Sequence, residues 1–192
     1  MSISDKIRIL LVDHDPGVLL PTSRLLEEAG YEVLEASTGK ECLEVMRKSR
    51  PDLVLLEVVL PDMDGTEVCK RIKADPSLRG PLVVLLSGVR TSSESQAEGL
   101  EAGADGYILR PMPDRELLAR VQSLVRFKQA EEALRRARDE LEERAKERTA
   151  DLARTNEHLV ASKESLEERL RFETLLSEIS ARFVEVQGGK AS

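Results

Sequence analysis

The stretch 53–65, Leu-Val-Leu-Leu-Glu-Val-Val-Leu-Pro-Asp-Met-Asp-Gly, joins an apolar run to a turn-forming segment. Residues 53–58 are almost wholly apolar, as expected of a central strand covered on both faces. Four other short runs alternate with helical patterns, so that the predicted strands are 7–12, 32–35, 53–58, 82–87 and 106–109. This alternation predicts an α/β fold, a doubly wound five-stranded parallel sheet with helices on both faces.

The composition suits one such core plus a solvated helix. The chain has 192 residues, of which 34% are charged and 3% aromatic, and its net charge of -7 would repel a nucleic-acid backbone on average. No apolar run reaches the roughly 18 residues of a membrane span, and no secretory leader is visible. We therefore expect a cytoplasmic chain with no nucleic-acid or membrane partner. Cys42 and Cys69 lack metal or redox spacing and are expected to be buried hydrophobes.

Beyond Pro113 the chain becomes polar and helical, with no further proline and no glycine before Gly188. Leucines recur at intervals of seven, with one eleven-residue step that represents a heptad plus a four-residue stutter. They predict a long C-terminal α-helical coiled coil, a parallel homodimer whose interface contains Leu134, Leu141, Leu152, Leu159 and Leu166. The alternative is a solvated single helix supported by Glu and Arg residues three or four apart.

These patterns divide the chain into a domain at 1–127, a coiled-coil helix at 128–186 and a disordered tail at 187–192. In the first helix, Pro21 predicts a late start or a local kink, because proline lacks the backbone donor that an interior position needs.

Functional side chains are expected where the parallel strands end, since doubly wound sheets bind ligands outside the carboxyl ends of their strands. Asp13, Glu57, Ser87 and Arg110 follow or end four of the predicted strands. An acidic cluster, a hydroxyl and a cation should therefore meet at one rim of the sheet.

Residues 7 to about 127 resemble the receiver domain of two-component response regulators. The resemblance is carried by the loop Pro61-Asp-Met-Asp-Gly65 and by the approach to the fifth strand, Glu101-Ala-Gly-Ala-Asp-Gly-Tyr107. It implies a flavodoxin-like fold in which an aspartate ending the third strand accepts a phosphoryl group from a histidine kinase. It also implies Mg2+ held by an acidic pair after the first strand, with a lysine and a Ser or Thr binding the phosphoryl oxygens.

Three positions depart from that pattern. His14 replaces the second acid of the pocket that begins with Asp13, Glu57 replaces the phosphoacceptor, and Arg110 replaces the lysine. The switch and phosphate-binding positions Ser87 and Tyr107 match.

Imidazole is a poor substitute for a hard oxygen ligand, so we expect no bound metal or other cofactor, Mg2+ included. Asp15 is the alternative ligand in place of His14. Glu57 is expected to mimic a phosphoryl group by hydrogen bonding to Arg110 in a bidentate way, with Ser87 joining the pair and Tyr107 turned inward. The alternative is a relic ion pair in a domain kept as a spacer.

The segment Glu147-Arg-Thr-Ala-Asp-Leu152, followed by Asn156-Glu157, resembles the signature of signalling helices that join receiver modules to kinase or cyclase outputs. The sequence thus favours a phosphorylation-independent receiver that is not an enzyme and passes conformation through a coiled coil to an output domain. Its expected partners are a second copy of this chain, through the coiled coil, and a sensor histidine kinase or a downstream output domain. Two alternatives stay open: a residual phosphoacceptor at Glu57, and an enzyme of the flavodoxin-like fold.

Overall fold

The computed structural model describes residues 6–78 and 80–188, with side chains as far as residue 177. Strands and helices alternate along the chain as the sequence predicts. The elements are β1 (Arg8–Val12), α1 (Pro16–Glu28), β2 (Glu32–Ala36), α2 (Gly39–Ser49), β3 (Leu53–Glu57), α3 (Gly65–Ala74), β4 (Leu82–Ser87), α4 (Ser93–Glu101), β5 (Gly106–Leu109) and α5 (Asp114–Gly188).

The five strands form one parallel sheet in the order β2-β1-β3-β4-β5. Every residue of β3 and β4 is buried, because helices cover both faces at the centre of the sheet. The predicted doubly wound architecture is therefore confirmed, with strand ends displaced by no more than one residue.

The core consists of two apolar layers, one on each face of the sheet. Alternate strand residues enter opposite layers, since successive side chains of a strand point to opposite faces. Leu10 and Leu56 lie in the layer under α2 and α3, whereas Ile9 and Leu55 lie in the layer under α1 and the start of α5. This period of two explains why nearly every position of the central strands is apolar.

Both cysteines pack in the layer under α2 and α3, as predicted. Burial raises the pKa of the Cys42 thiol to about 12 and that of Cys69 to about 11. Neither thiol is reactive near neutral pH, because the thiolate is the nucleophilic form.

Polar side chains cap the first four helices, because an N-terminal turn leaves backbone N–H groups without partners. The caps are Asp15, Thr38, Asp64 and Ser92. In α1, the Asp15 cap and the proline at 16 define the start, and the helix runs on through Pro21. The late start expected from Pro21 is therefore wrong.

Contacts divide the chain into two units, Met1–Ala133 and Leu134–Ser192. In the first unit, Leu117, Val121 and Val125 of α5 are buried in the layer that α1 also covers. In the second, the five leucines of the predicted coiled coil are 57% to 73% exposed. Of the tail predicted at 187–192, residues 187 and 188 belong to α5 and the others lie outside the described residues. No helix among the described residues is long and apolar enough to span a membrane.

Candidate functional site

The carboxyl ends of four strands bring Asp13, Glu57, Ser87 and Arg110 to one rim of the sheet. Asp13 directly follows β1, Glu57 and Ser87 end β3 and β4, and Arg110 directly follows β5. Asp13, Glu57 and Ser87 are three of the four buried polar or charged residues in the described chain. Charged groups are rarely buried without partners, so the hydrogen bonds of this cluster decide its chemistry.

Arg110 pairs with Asp13. Its Nη1 donates to Asp13 Oδ2 at 2.5 Å, and the two side chains are only 15% and 3% exposed. The other carboxylate oxygen of Asp13, Oδ1, accepts a hydrogen bond from the backbone N–H of Asp15 at 3.0 Å. Both oxygens of Asp13 therefore have partners, and its charge is balanced within the protein.

Glu57 lies close to Arg110 but is not hydrogen-bonded to it. Arg110 Nη1 is 3.8 Å from Glu57 Oε2, whereas Glu57 Oε1 accepts from the backbone N–H groups of Val58 at 3.0 Å and Val59 at 3.3 Å. The predicted bidentate pair between Glu57 and Arg110 is therefore wrong. Asp13 holds the guanidinium, and the glutamate side chain folds back onto its own loop.

The environment of Glu57 favours the protonated form. Burial raises the pKa of its carboxyl above the ordinary value, and the negative charge of Asp13 raises it further. The hydrogen bond from Val59 N–H, the positive charge of Arg110 and the bond from Val58 N–H oppose that rise. Burial is the strongest of these influences, so the net direction is upward.

The guanidinium of Arg110 is not fully satisfied within the described residues. Its Nη2 is buried and has no hydrogen-bond partner there. Unpaired buried donors are uncommon and usually mark strain or function. Within the described residues, Arg110 Nη2 therefore remains available to donate to a further acceptor.

Ser87 turns towards its own loop and does not join Glu57. Its Oγ accepts from the backbone N–H groups of Arg90 at 2.9 Å and Val89 at 3.3 Å. The predicted hydrogen bond from Ser87 to the charged pair is therefore wrong among the described contacts. A serine hydroxyl at the end of a strand readily bonds to nearby backbone groups, and these bonds compete with a bond to a more distant side chain.

Tyr107 is half-buried, with its ring against the core layer under α2 and α3. A Cβ atom built on Gly99 of α4 would lie 2.8 Å from Tyr107 Cδ2 and 2.8 Å from Leu85 Cδ1, so only glycine permits this approach. The Tyr107 hydroxyl donates to the carbonyl oxygen of Arg90 at 2.8 Å. The ring thus packs inward against this layer, although the Glu57–Arg110 hydrogen bond on which that position was predicted to depend is not formed.

His14 and Asp15 lie at the edge of the cluster. His14 is half-exposed, with Nδ1 4.0 Å from Asp13 Oδ1, and Asp15 Oδ1 accepts from Gly17 N–H at 2.8 Å as the cap of α1. The alternative that Asp15 replaces a lost metal ligand competes with this capping role. Across the described residues, no group of three or more His, Cys, Asp or Glu side chains is placed to hold a metal ion.

Sequence reasoning missed Arg90 and Asp64. Asp64 caps α3 by accepting from Thr66 N–H at 2.9 Å, and its Oδ2 lies 2.7 Å from Arg90 Nη2. The cap was readable from an aspartate directly before Gly65-Thr66. The ion pair was not, because it joins loops that are 26 residues apart.

Comparison with known proteins gives a consistent result. A family model described as the response regulator receiver domain matches residues 9–122. Among curated proteins, the chain is 37% identical over 126 residues to the DNA-binding response regulator MtrA of Mycolicibacterium smegmatis, covering 66% of this chain and 54% of that protein. It is 39% identical over 127 residues to the response regulator MprA of Mycobacterium leprae, covering 66% and 54%. The chain thus spans about half the length of these relatives.

Solved structures agree with the sequence matches. A CheY-like receiver domain protein from Methanospirillum hungatei has 35% identity and a TM-score of 0.60, covering 66% of this chain and 98% of that one. The BeF3-activated receiver domain of RstA from Klebsiella pneumoniae has 34% identity and a TM-score of 0.58, covering 62% and 98%.

Proposed function

Because this chain belongs to the response regulator receiver family, as the match over residues 9–122 shows, we propose that it is a receiver whose regulation does not require phosphorylation. It acts in two-component signal transduction as a regulatory and dimerising domain. Its conformational state passes through α5 to an output domain. It catalyses no reaction of its own.

The observation that carries this proposal is the hydrogen bond between Arg110 and Asp13 at 2.5 Å. By the family pattern, the acid at 13 would help to hold Mg2+ and the cation at 110 would bind the phosphoryl group. Here these two groups neutralise each other in a site where both are largely buried. Separating a buried ion pair costs several kcal/mol, so the cluster opposes binding of both ligands.

The donor set does not fit Mg2+. The ion prefers octahedral oxygen coordination, whereas this pocket offers Asp13 with both oxygens already hydrogen-bonded and His14 in place of a second carboxylate. Glu57 has one oxygen on the amides of its own loop. These contacts support a receiver that works without a cofactor.

The second unit supplies the dimerising part of the proposal. Five leucines at heptad or stutter spacing lie exposed along α5, while charged residues beside them form ion pairs with neighbours on the same helix. A leucine stripe of this kind gains free energy by packing against an equivalent stripe. We therefore propose a parallel homodimer through the coiled coil.

A sensor histidine kinase and an output domain are the other proposed partners. The relative MtrA is described as DNA-binding, but the net charge of -7 argues against direct nucleic-acid binding by this chain. The signalling input would then reach the receiver through protein contacts.

One observation favours the alternative, a residual phosphoacceptor at Glu57. Among the described contacts, Glu57 Oε2 accepts no hydrogen bond, and Arg110 Nη2 is a buried donor without a partner. A free carboxylate oxygen is the nucleophile that attack on phosphorus requires, with the donor's leaving group departing, and a cationic donor binds the phosphoryl oxygens.

Labelling with acetyl phosphate in the presence of Mg2+ distinguishes the two proposals, with intact mass as the readout. The matched positive control is the triple variant His14→Asp, Glu57→Asp, Arg110→Lys, which restores the family pattern. We expect an adduct on the triple variant and none on the native chain. An adduct on the native chain that disappears in Glu57→Gln would establish the alternative instead.

A further inference from the structure

Arg90, in the loop between β4 and α4, makes three contacts that hold one loop conformation. Its backbone N–H donates to Ser87 Oγ at 2.9 Å, and its carbonyl accepts from the Tyr107 hydroxyl at 2.8 Å. Its guanidinium Nη2 lies 2.7 Å from Asp64 Oδ2. One residue thus connects the end of β4, the ring on β5 and the N-terminus of α3.

These contacts differ in what they need from residue 90. The two backbone contacts are available to any residue whose main chain occupies this position. The contact with Asp64 requires a long cationic side chain, because it crosses from one loop to another. The ion pair with Asp64 is thus the one of these three contacts that depends on which residue occupies position 90.

Asp64 is a well-anchored partner for that side chain. Its Oδ1 accepts from both Thr66 N–H at 2.9 Å and Thr66 Oγ1 at 2.7 Å, which leaves Oδ2 for the arginine. Asp64 also begins a helix whose first glycine, Gly65, leaves no room for a side chain against the backbone of Glu57. The carboxylate is thereby fixed relative to β3, the strand that ends in Glu57.

From these contacts we infer that the Arg90 side chain is a latch, a positioning group that holds the β4–α4 loop on the N-terminus of α3 and thereby keeps Tyr107 inward without a phosphoryl group. The latch consists of Arg90, Asp64 and Tyr107. In it, an ion pair between two loops takes the place of the covalent phosphoryl input. The inference rests on the proposed function, because a latch of this kind has a purpose only in a receiver that is not switched by phosphorylation.

The strength of the latch should depend on ionic conditions. Both charged side chains are partly exposed, so salt screens their attraction more than it screens a buried pair. The hydrogen bond from Tyr107 and the packing of its ring on Gly99 are neutral contacts and resist salt. Loss of the ion pair should therefore loosen Tyr107 without unfolding the domain.

The two tyrosines make the inference measurable. The chain contains only Tyr31 and Tyr107 and no tryptophan, so fluorotyrosine incorporation gives two 19F resonances, which Tyr31→Phe assigns. The test compares Arg90→Ala, Asp64→Asn and the double variant in the full-length chain. Asparagine caps helices about as well as aspartate, so Asp64→Asn removes the charge while α3 keeps its cap. Arg47→Ala on the exposed face of α2 is the matched control.

We expect Arg90→Ala and Asp64→Asn to shift or broaden the Tyr107 resonance in the same way and to leave Tyr31 in place. The double variant should match the single ones, since either change already breaks the pair. Arg90→Lys should lie closer to the native spectrum, and Arg47→Ala should be silent. An unchanged Tyr107 resonance in Arg90→Ala would overturn the latch. So would a Tyr107 resonance that changes in Arg90→Ala but not in Asp64→Asn.

This readout separates the latch from the proposed function. A silent Tyr107 in a chain that acetyl phosphate does not label removes the latch and leaves the phosphorylation-independent receiver. Labelling of native Glu57 removes the proposed function whatever Tyr107 does. In that case a Tyr107 shift in Arg90→Ala would mark a structural tie and not a substitute for phosphorylation.

Discussion

Two arginine–carboxylate pairs in this chain have nearly the same length and very different surroundings. In the receiver unit, Arg110 Nη1 and Asp13 Oδ2 are 2.5 Å apart and both side chains are mostly buried; in the helical unit, Arg144 Nη2 and Glu140 Oε1 are 2.6 Å apart and both are mostly exposed. Apolar residues show the same contrast. The receiver buries most of its leucines, with Leu20, Leu100 and Leu109 among the exposed ones, whereas the predicted interface leucines of the helical unit are all exposed.

The two regions differ in how far each satisfies its apolar and charged side chains by its own contacts. The receiver encloses most of its apolar side chains in two layers and pairs its buried charges, so its stability arises from contacts within residues 6–133. The helical unit has surface ion pairs that contribute about 0.3–0.5 kcal/mol each and leucines with no packing partner in the described chain. In the proposed homodimer, a second helix would supply the packing that these leucines lack.

The largest effect is expected from alanine at Leu152 and Leu159 in the full-length chain. Burying a leucine contributes about 1.5–3 kcal/mol, so truncating two in each of two chains, four in all, should weaken association by at least about 6 kcal/mol, or more than about ten-thousandfold in Kd. Sedimentation equilibrium measures the change. Glu157→Ala with Glu164→Ala is the matched control, because each lies about 200° around the helix from a neighbouring leucine, Leu159 or Leu166.

A native chain that is monomeric at tens of micromolar would remove the coiled coil and leave a solvated single helix. Equal weakening by the glutamate pair would show that the leucine stripe is not the interface.

The second prediction compares the two ion pairs directly. Asp13→Asn places an amide N–H₂ or a neutral oxygen against the buried guanidinium of Arg110 and should lower the free energy of unfolding by about 3 kcal/mol. Glu140→Gln removes the same charge from the exposed pair and should change it by less than about 0.5 kcal/mol. Urea denaturation of both variants is the measurement. Equal losses would mean that burial does not distinguish the two regions.

The smallest effect concerns Glu57 and appears as a pH dependence. Its pKa is raised in the folded state, chiefly by burial. Folding therefore favours the protonated carboxyl, and its contribution to stability is lost as pH rises through the folded-state pKa. In the variant Glu57→Gln, the new amide side chain does not ionise and keeps an oxygen for the backbone N–H groups of Val58 and Val59.

Native protein should accordingly lose stability relative to Glu57→Gln as pH rises from about 4 towards 8. The pH-dependent difference should shrink towards pH 4, as Glu57 becomes protonated in both the folded and the unfolded chain. Urea midpoints across this pH range give the difference. A slope of the opposite sign would show that Arg110 and not burial dominates the environment of Glu57.

Much of the receiver was readable from the chain. The strand predicted at 53–58 ends one residue earlier in the structure, at Glu57, and β4 ends in Ser87 as predicted. Strand periodicity and the carboxyl-end rule place both residues at the rim without any knowledge of side-chain direction. The late start expected from Pro21 was wrong because the Asp15 cap defines the start of α1 and outweighs one interior proline, while the local kink stays a prediction.

The partners at the rim were less readable. In the sheet, β5 is separated from β3 by one strand and from β1 by two. Glu57 at the end of β3 was therefore expected to lie closer to Arg110 than Asp13 does. In the structure the long arginine side chain reaches Asp13 beyond them, and Glu57 and Ser87 bind amides of their own loops. Backbone N–H groups near a strand end compete with other side chains for each side-chain oxygen. The residue pattern does not show which of these donors lack another partner, so the final pairing could not be predicted from it.

The sequence by itself therefore determined the sheet, its two apolar layers and the set of residues at its rim, because hydrophobic period and strand polarity are properties of the chain. The tertiary structure alone decided that Arg110 pairs with Asp13, that Glu57 folds back, and that Arg90 connects two loops through Asp64. Each of these contacts depends on distance and burial between residues remote in sequence. Such interactions weaken steeply with distance and strengthen with desolvation, which only the folded arrangement sets.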